Sequence, residues 1–165
     1  MHVIQELISR KIVDHLLVLP AGQPRLRDNE PHATGAQRRA MCQLAVADLP
    51  AEISKCVEVN PIEVLRDGPS YTIYTVEAVA QNYEGDTIVL IVGTDAYEKI
   101  DQWHRADELK QMVEFLVIDR PDFPGQANLQ IDALKVSATE IREGKSRAVP
   151  AAVAAFIKEN NLYAS

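Results

Sequence analysis

The sequence predicts an α/β domain built as a doubly wound parallel sheet. Short, continuously apolar runs such as residues 88–92 recur along the chain. They alternate with stretches whose apolar residues fall at helical spacing, and loops rich in glycine, proline and polar residues separate them. A strand that is apolar on both sides must be covered on both faces, and helices that cross over between parallel strands supply that cover.

Taken in order, Val3, Ile4, Leu7, Ile8 and Ile12 give a helix over residues 2–12 one buried face. HLLVLP, residues 15–20, is a short strand stopped by Pro20. The loop AGQPRLRDNEPHATG, residues 21–35, has a length that is uncommon unless functional. Thr34 and Gln37 have capping-box spacing, and Ala40, Met41, Leu44 and Ala45 give the helix behind them a buried stripe. KCVEVNPIEV, residues 55–64, is a strand with a proline-marked exit. The loop RDGPS leads to a helix capped by Ser70 or Thr72, with Ile73, Val76, Val79 and Ala80 inward.

Residues 87–92 form the next strand, followed by an irregular stretch through Trp103. A short helix near 105–111 and the strand VEFLVI, 113–118, come after it. Beyond a proline-rich turn at 121–124, LQIDAL is a further strand. Ser137 and Glu140 repeat the capping-box spacing, and Pro150 opens a last helix with Val153, Phe156 and Ile157 inward.

Composition narrows the function. A chain of 165 residues, 47% of them hydrophobic, suits a single domain over 1–165 with a real core. Its net charge of −7 argues against a generic binder of nucleic acid or acidic membrane, since self-repulsion opposes approach to a polyanion. Small anions remain open to it through local arginines. Cys42 and Cys56 lack C-x-x-C spacing, and His2, His15, His32 and His104 lack H-x-x-x-H spacing. Neither a disulfide framework nor a protein-built metal site is expected. No apolar run reaches the length of a membrane span and no signal-peptide pattern opens the chain, so the expected compartment is the cytoplasm.

The loops carry the chemistry. Gly93, Thr94 and Asp95 directly follow a buried strand. Glycine there lets a ligand approach the backbone and the aspartate can accept bonds from ribose hydroxyls, or the segment is simply a helix cap. Trp103 has polar neighbours, Asp101, Gln102, His104 and Arg105. Its indole either faces a flat ligand or joins the core. VSATEIR, 136–142, sets the hydroxyls of Ser137 and Thr139 at a helix start, with Arg142 one turn on. That is a phosphate site or a capped helix with a surface arginine. No G-x-G-x-x-G or Walker pattern occurs, and no pair of carboxylates marks itself as acid and base. Spacing alone stops at an α/β domain that binds phosphate and ribose.

Several segments go further together. LPAGQP, RDGPSYTIYTVEA, GTDAYEKIDQWHRADEL, VSATEIR and the ending VPAAVAAFIKENNLY resemble, in order and spacing, the bacterial nicotinate-nucleotide adenylyltransferases of the HxGH nucleotidyltransferase superfamily. The resemblance spans essentially the whole chain. It implies a Rossmann-like doubly wound sheet of nucleotidyltransferase type. It also implies a reaction in which nicotinate mononucleotide attacks the α-phosphate of ATP, with Mg²⁺ assisting, to give nicotinate adenine dinucleotide and pyrophosphate.

By position, the resemblance gives Ser137, Thr139 and Arg142 to the ATP phosphates and Gly93 and Asp95 to a ribose. Trp103 would stack on the pyridine, and backbone N–H groups near Thr72 and His104 would read the nicotinate carboxylate. Arg27 falls where the family carries a phosphate-binding lysine. The implied partners are ATP and nicotinate mononucleotide, with neither nucleic acid nor membrane; a homo-oligomer is left open.

One departure is large. The family's first strand and its G-[ST]-F-[DN]-P-x-H-x-G-H element are absent, and Met1 falls just past the place of the second histidine. His2 is not credited with that role, so no residue is given a catalytic one. The chain as written is expected to be nearly inactive and poorly stable. Two alternatives stand beside the leading reading: a pantetheine-phosphate adenylyltransferase, and a non-catalytic nucleotide-binding fragment.

Overall fold

The computed structural model describes residues 1–22, 33–119, 125, 127–129 and 148–163. Arg27, Ser137, Thr139 and Arg142 lie outside them, as do the turn at 121–124, the capping box at Ser137 and all but the first residue of LQIDAL. The chain forms two compact units: Met1–Pro69 with Val136–Ser165, and Ser70–Lys135.

In the first unit, α1 (His2–Ser9) is shorter than its apolar pattern, which runs to Ile12. Lys11 takes a left-handed backbone, φ 52°. The N–H of Ile12 donates to the Leu7 carbonyl and that of Lys11 to the Ile8 carbonyl. This is a Schellman ending, which satisfies the last carbonyls and turns the chain out of the helix. Leu7 is fully buried.

β1 (Leu16–Val18) pairs in parallel with β2 (Val57–Val59), Leu16 opposite Val57 and Val18 opposite Val59. Both strands are shorter than their apolar runs. Before β2, a helix the sequence did not suggest, α3 (Ala51–Ser54), occupies the approach. After it, the Asn60 side chain accepts a 3.1 Å bond from the Ile62 N–H. That Asx turn bends residues 60–64 away from the extended path.

α2 (Gly35–Ala47) begins with the expected capping box. Thr34 Oγ1 accepts from the Gln37 N–H at 3.2 Å, and Gln37 Oε1 accepts from the Thr34 N–H at 2.8 Å. Its stripe of Ala40, Met41, Leu44 and Ala45 is only half-buried. The helix packs against β2 and α7 (Ala151–Glu159), and a three-residue strand is too short to cover the whole stripe. Pro150 does cap α7, with Val153 buried and Phe156 and Ile157 half-buried.

The Arg38 guanidinium donates to the carbonyls of Ala21, Gly22 and Ala33 at 2.5–3.0 Å. One side chain thereby ties together the residues on either side of 23–32.

In the second unit, β3 (Val89–Gly93) and β4 (Glu114–Ile118) run parallel in unbroken register from Val89 opposite Glu114 to Gly93 opposite Ile118. Leu129, the first residue of LQIDAL, makes a parallel bridge to Ile118. The stretch between Gly93 and Trp103 is more ordered than its sequence suggests: it holds α5 (Thr94–Tyr97) and a 3-10 turn (Ile100–Gln102). The core comes from α4 (Thr72–Asn82), α6 (Ala106–Met112) and their neighbours: Ile73, Val76, Ile100, Leu109 and Val113. The described strands are parallel and alternate with helices, as the apolar runs require, and they form two hydrogen-bonded pairs, one in each unit.

Candidate functional site

The site grows from the first turn of α4. Its N-cap is Tyr71, in extended backbone (φ −100°, ψ 137°), with no side-chain cap. Neither Ser70 nor Thr72 caps it; Thr72 is already the first helical residue. A tyrosine hydroxyl lies too far from its own backbone to serve a helix end, so the cap is left to the backbone. The N–H groups of Tyr74 and Thr75 donate to the Tyr71 carbonyl. Those of Thr72 and Ile73 have no helix carbonyl above them, as at any helix start. Next to this turn, Ser70 Oγ is buried without a hydrogen-bond partner among the described residues.

The second wall is the segment between the 3-10 turn and α6. The backbone N–H of Trp103 donates to the Ile100 carbonyl, and its side chain packs on the core of Ile73, Val76, Ile100, Leu109 and Val113. It remains half-exposed. Both readings of the indole are therefore physically available at once, one face for the core and the rest for solvent or a ligand.

His104 is exposed, yet held on two sides. Its ring lies on that of Tyr71, centroids 4.3 Å apart and planes tilted by 30°. Its Nε2 is 3.0 Å from the Tyr74 hydroxyl. Tyr71 and Tyr74 meet edge to face at 5.8 Å. Three rings are thus gathered at the start of α4.

Arg105 follows with a left-handed backbone (φ 54°, ψ 44°) and serves as the N-cap of α6. Its guanidinium grips Glu108 through Nε at 2.8 Å and Nη2 at 2.6 Å. Nη2 also lies 2.8 Å from Glu77 Oε1 on α4. The Arg105 guanidinium is held more firmly protonated by its bonds to Glu108 and then Glu77. The same bond keeps the Glu108 carboxyl below its ordinary range. Further along, Lys110 pairs with Asp101, which raises the lysine's proton affinity.

At the sheet end, Gly93 closes β3 opposite Ile118 and is the N-cap of α5, with Asp95 half-buried in the first turn. The φ of −80° at Gly93 is one any residue can adopt. Gly125 is packed closely: a Cβ there would stand 3.1 Å from the side chains of Thr94 and Glu98, which would have to give by a few tenths of an ångström.

The structure thus brings Thr72, Trp103 and His104 around Tyr71, while Gly93 and Asp95 stand at the end of β3 in the same unit. Tyr71, Tyr74, Arg105, Glu77 and Glu108 went unremarked as site residues in the sequence. Two i,i+3 spacings were the available signal: Tyr71 with Tyr74 and Arg105 with Glu108. Unpaired N–H donors beside flat rings suit a planar ring carrying an anionic group. Among the described residues, no three His, Cys, Asp or Glu side chains group as metal ligands, and no helix is long and apolar enough to cross a membrane.

Comparison with known proteins adds the following. Residues 1–144 match the cytidylyltransferase-like family model. The chain is 34% identical to the probable nicotinate-nucleotide adenylyltransferase of Gemmatimonas aurantiaca, covering 98% of this chain and 83% of that one. It is 29% identical to the nicotinate-nucleotide adenylyltransferase of Bacillus subtilis, covering 97% and 88%. Among solved structures it matches Plasmodium falciparum nicotinic acid mononucleotide adenylyltransferase complexed with NaAD, with a TM-score of 0.76. That match covers 98% of this chain and 90% of that one at 16% identity, and so speaks to the fold.

Proposed function

Because the chain belongs to the cytidylyltransferase-like family and, within it, groups with the nicotinate-nucleotide adenylyltransferases, we propose that its substrates are ATP and nicotinate mononucleotide. A phosphate oxygen of the mononucleotide attacks the α-phosphorus of ATP. A new P–O bond forms, the bond from the α-phosphorus to the β-bridging oxygen breaks, and pyrophosphate leaves. Mg²⁺ brought with ATP would offset the charge of the phosphates. Such transfer needs no covalent intermediate, so binding and alignment are the protein's main contribution.

The observation that carries this reading is the meeting of α4's first turn with residues 103–104, through the Tyr71 and His104 rings 4.3 Å apart. The N–H groups near Thr72 and at His104 read the nicotinate carboxylate, and the exposed part of Trp103 takes the pyridine face. Gly93 and Asp95 meet a ribose. Arg27 is assigned to the mononucleotide phosphate, and Ser137, Thr139 and Arg142 to the ATP phosphates, on resemblance in sequence.

The test pairs turnover with binding. The protein is incubated with α-labelled ATP, Mg²⁺ and either nicotinate mononucleotide or phosphopantetheine, and dinucleotide and pyrophosphate are measured. Binding of each substrate is followed by calorimetry. Labelled nicotinate adenine dinucleotide supports the reading. Mononucleotide binding without turnover identifies a non-catalytic binding module, and preference for phosphopantetheine overturns the substrate assignment.

A further inference from the structure

Four described residues other than glycine have a left-handed backbone: Lys11, Arg105, Asn161 and Tyr163. Three of them lie just beyond helix carboxyl ends, where the chain turns away and this conformation is common. Arg105 stands at a helix start, where the capping residue is ordinarily extended. An L-residue enters this region at a cost, and something local must hold it there.

What holds it is on three sides. Glu108, one turn into α6, takes the guanidinium edge in a two-point fork, and Glu77 on α4 takes a third contact. The guanidinium carbon also lies 5.9 Å from the centre of the Tyr74 ring, whose hydroxyl meets His104. Tyr74 and Glu77 are one turn apart on α4, so Arg105 closes a circuit from α4 through the 103–105 segment to α6. If Arg105 relaxed to the right-handed region, the two residues before it would swing relative to the start of α6. Those residues are Trp103 and His104.

We propose that Arg105 is a positioning residue for the mononucleotide site, its Glu77 and Glu108 clamp fixing the backbone turn that aims Trp103 and His104. This rests on the substrate reading above. It predicts selectivity, because Arg105 contacts none of the described residues assigned to ATP, Gly93 and Asp95, while its bonds hold the start of α4 and α6. Lysine is a poor substitute, since a single ammonium cannot reproduce the planar fork toward both carboxylates.

Trp103 is the only tryptophan, so its emission reports this segment alone. The 165-residue chain and its Arg105→Ala, Arg105→Lys and Glu77→Gln variants are compared with and without ligand. In ligand-free Arg105→Ala, acrylamide should quench Trp103 more efficiently. Its dissociation constant for nicotinate mononucleotide should rise roughly 5- to 30-fold, the population cost of an unsupported left-handed turn. The constant for ATP should stay within about twofold, and Arg105→Lys should fall between alanine and the parent. If Arg105→Ala does not fold, Glu77→Gln should show a smaller change in the same direction.

Unchanged quenching together with unchanged mononucleotide affinity overturns the proposal. So does an equal loss for both ligands, which marks a general structural role. Should the parent protein bind no nicotinate mononucleotide, the substrate reading fails by itself, and ligand-free quenching still decides whether Arg105 sets the Trp103 turn.

Discussion

The hydroxyl of Tyr74 lies 3.0 Å from Nε2 of His104, joining the first turn of α4 to the segment that precedes α6. Tyr71 stacks on the other side of the same imidazole. His104 is therefore an exposed ring in a fixed orientation. Tyr74→Phe keeps the aromatic edge and removes only the hydroxyl. It should weaken nicotinate mononucleotide binding roughly 2- to 5-fold, the value of one solvent-accessible hydrogen bond. Calorimetry that finds no change would show that the imidazole orientation is set by Tyr71 alone.

Trp103→Ala should act twice. Loss of stacking should weaken mononucleotide binding roughly 5- to 150-fold, corresponding to about 1–3 kcal/mol, with ATP binding little altered. Because the indole also packs against the core cluster of this unit, the melting temperature should fall as well. Trp103→Phe should recover much of the stability and part of the binding. Equal losses for both ligands would place the indole wholly in the core.

Arg38→Ala should destabilise the first unit. It removes every side-chain bond from Arg38 to the Ala21, Gly22 and Ala33 carbonyls, and solvent replaces only part of that hydrogen bonding. A loss of about 1–2 kcal/mol is expected from the urea midpoint. Arg38→Lys should recover little, because Nε and both terminal nitrogens are in use, spread over the carbonyls of Ala21, Gly22 and Ala33.

Glu108 makes part of the stability depend on pH. Its bond to Arg105 lowers the folded-state pKa below the unfolded value. The contribution is therefore complete above the ordinary glutamate range, about pH 4.3, and is lost as pH falls through the lower folded value. Melting temperatures of the parent and Glu108→Gln should differ at neutral pH and converge in acid. A constant gap down to pH 2 would mean the ion pair contributes nothing to stability.

How much of this was legible in the sequence depended on the range of each interaction. The Thr34–Gln37 box and the Pro150 cap are local, and both formed as their spacing indicated. The parallel strands followed from their apolar runs, though Asn60 and α3 trimmed β2 at both ends. A four-residue helix such as α3 is too short to show a helical period. The α4 cap misled because Ser70 and Thr72 both suit the role chemically, while the backbone begins the helix at Tyr71. Arg105 was the least visible. No glycine marks its left-handed turn, and its Glu77 partner lies on another helix. The phosphate-site residues Arg27, Ser137, Thr139 and Arg142 rest on sequence alone, since they fall outside the described residues.

The division of the chain into a continuous unit and an interrupted one carries a consequence for the order of folding. Residues 70–135 emerge from the ribosome as one stretch, and β3 and β4 can pair once that stretch is free. The other unit is split around that stretch, with α2 made before it and α7 after it, and α2 takes cover from α7. The part of that unit made before residue 70 is thus completed only after the continuous unit has been made. Pulse-labelled hydrogen exchange on chains ending at residue 140 and released from the ribosome should find the amides of β3 and β4 protected and those of α2 still open. Protection of α2 at that length would show that α2 does not need α7.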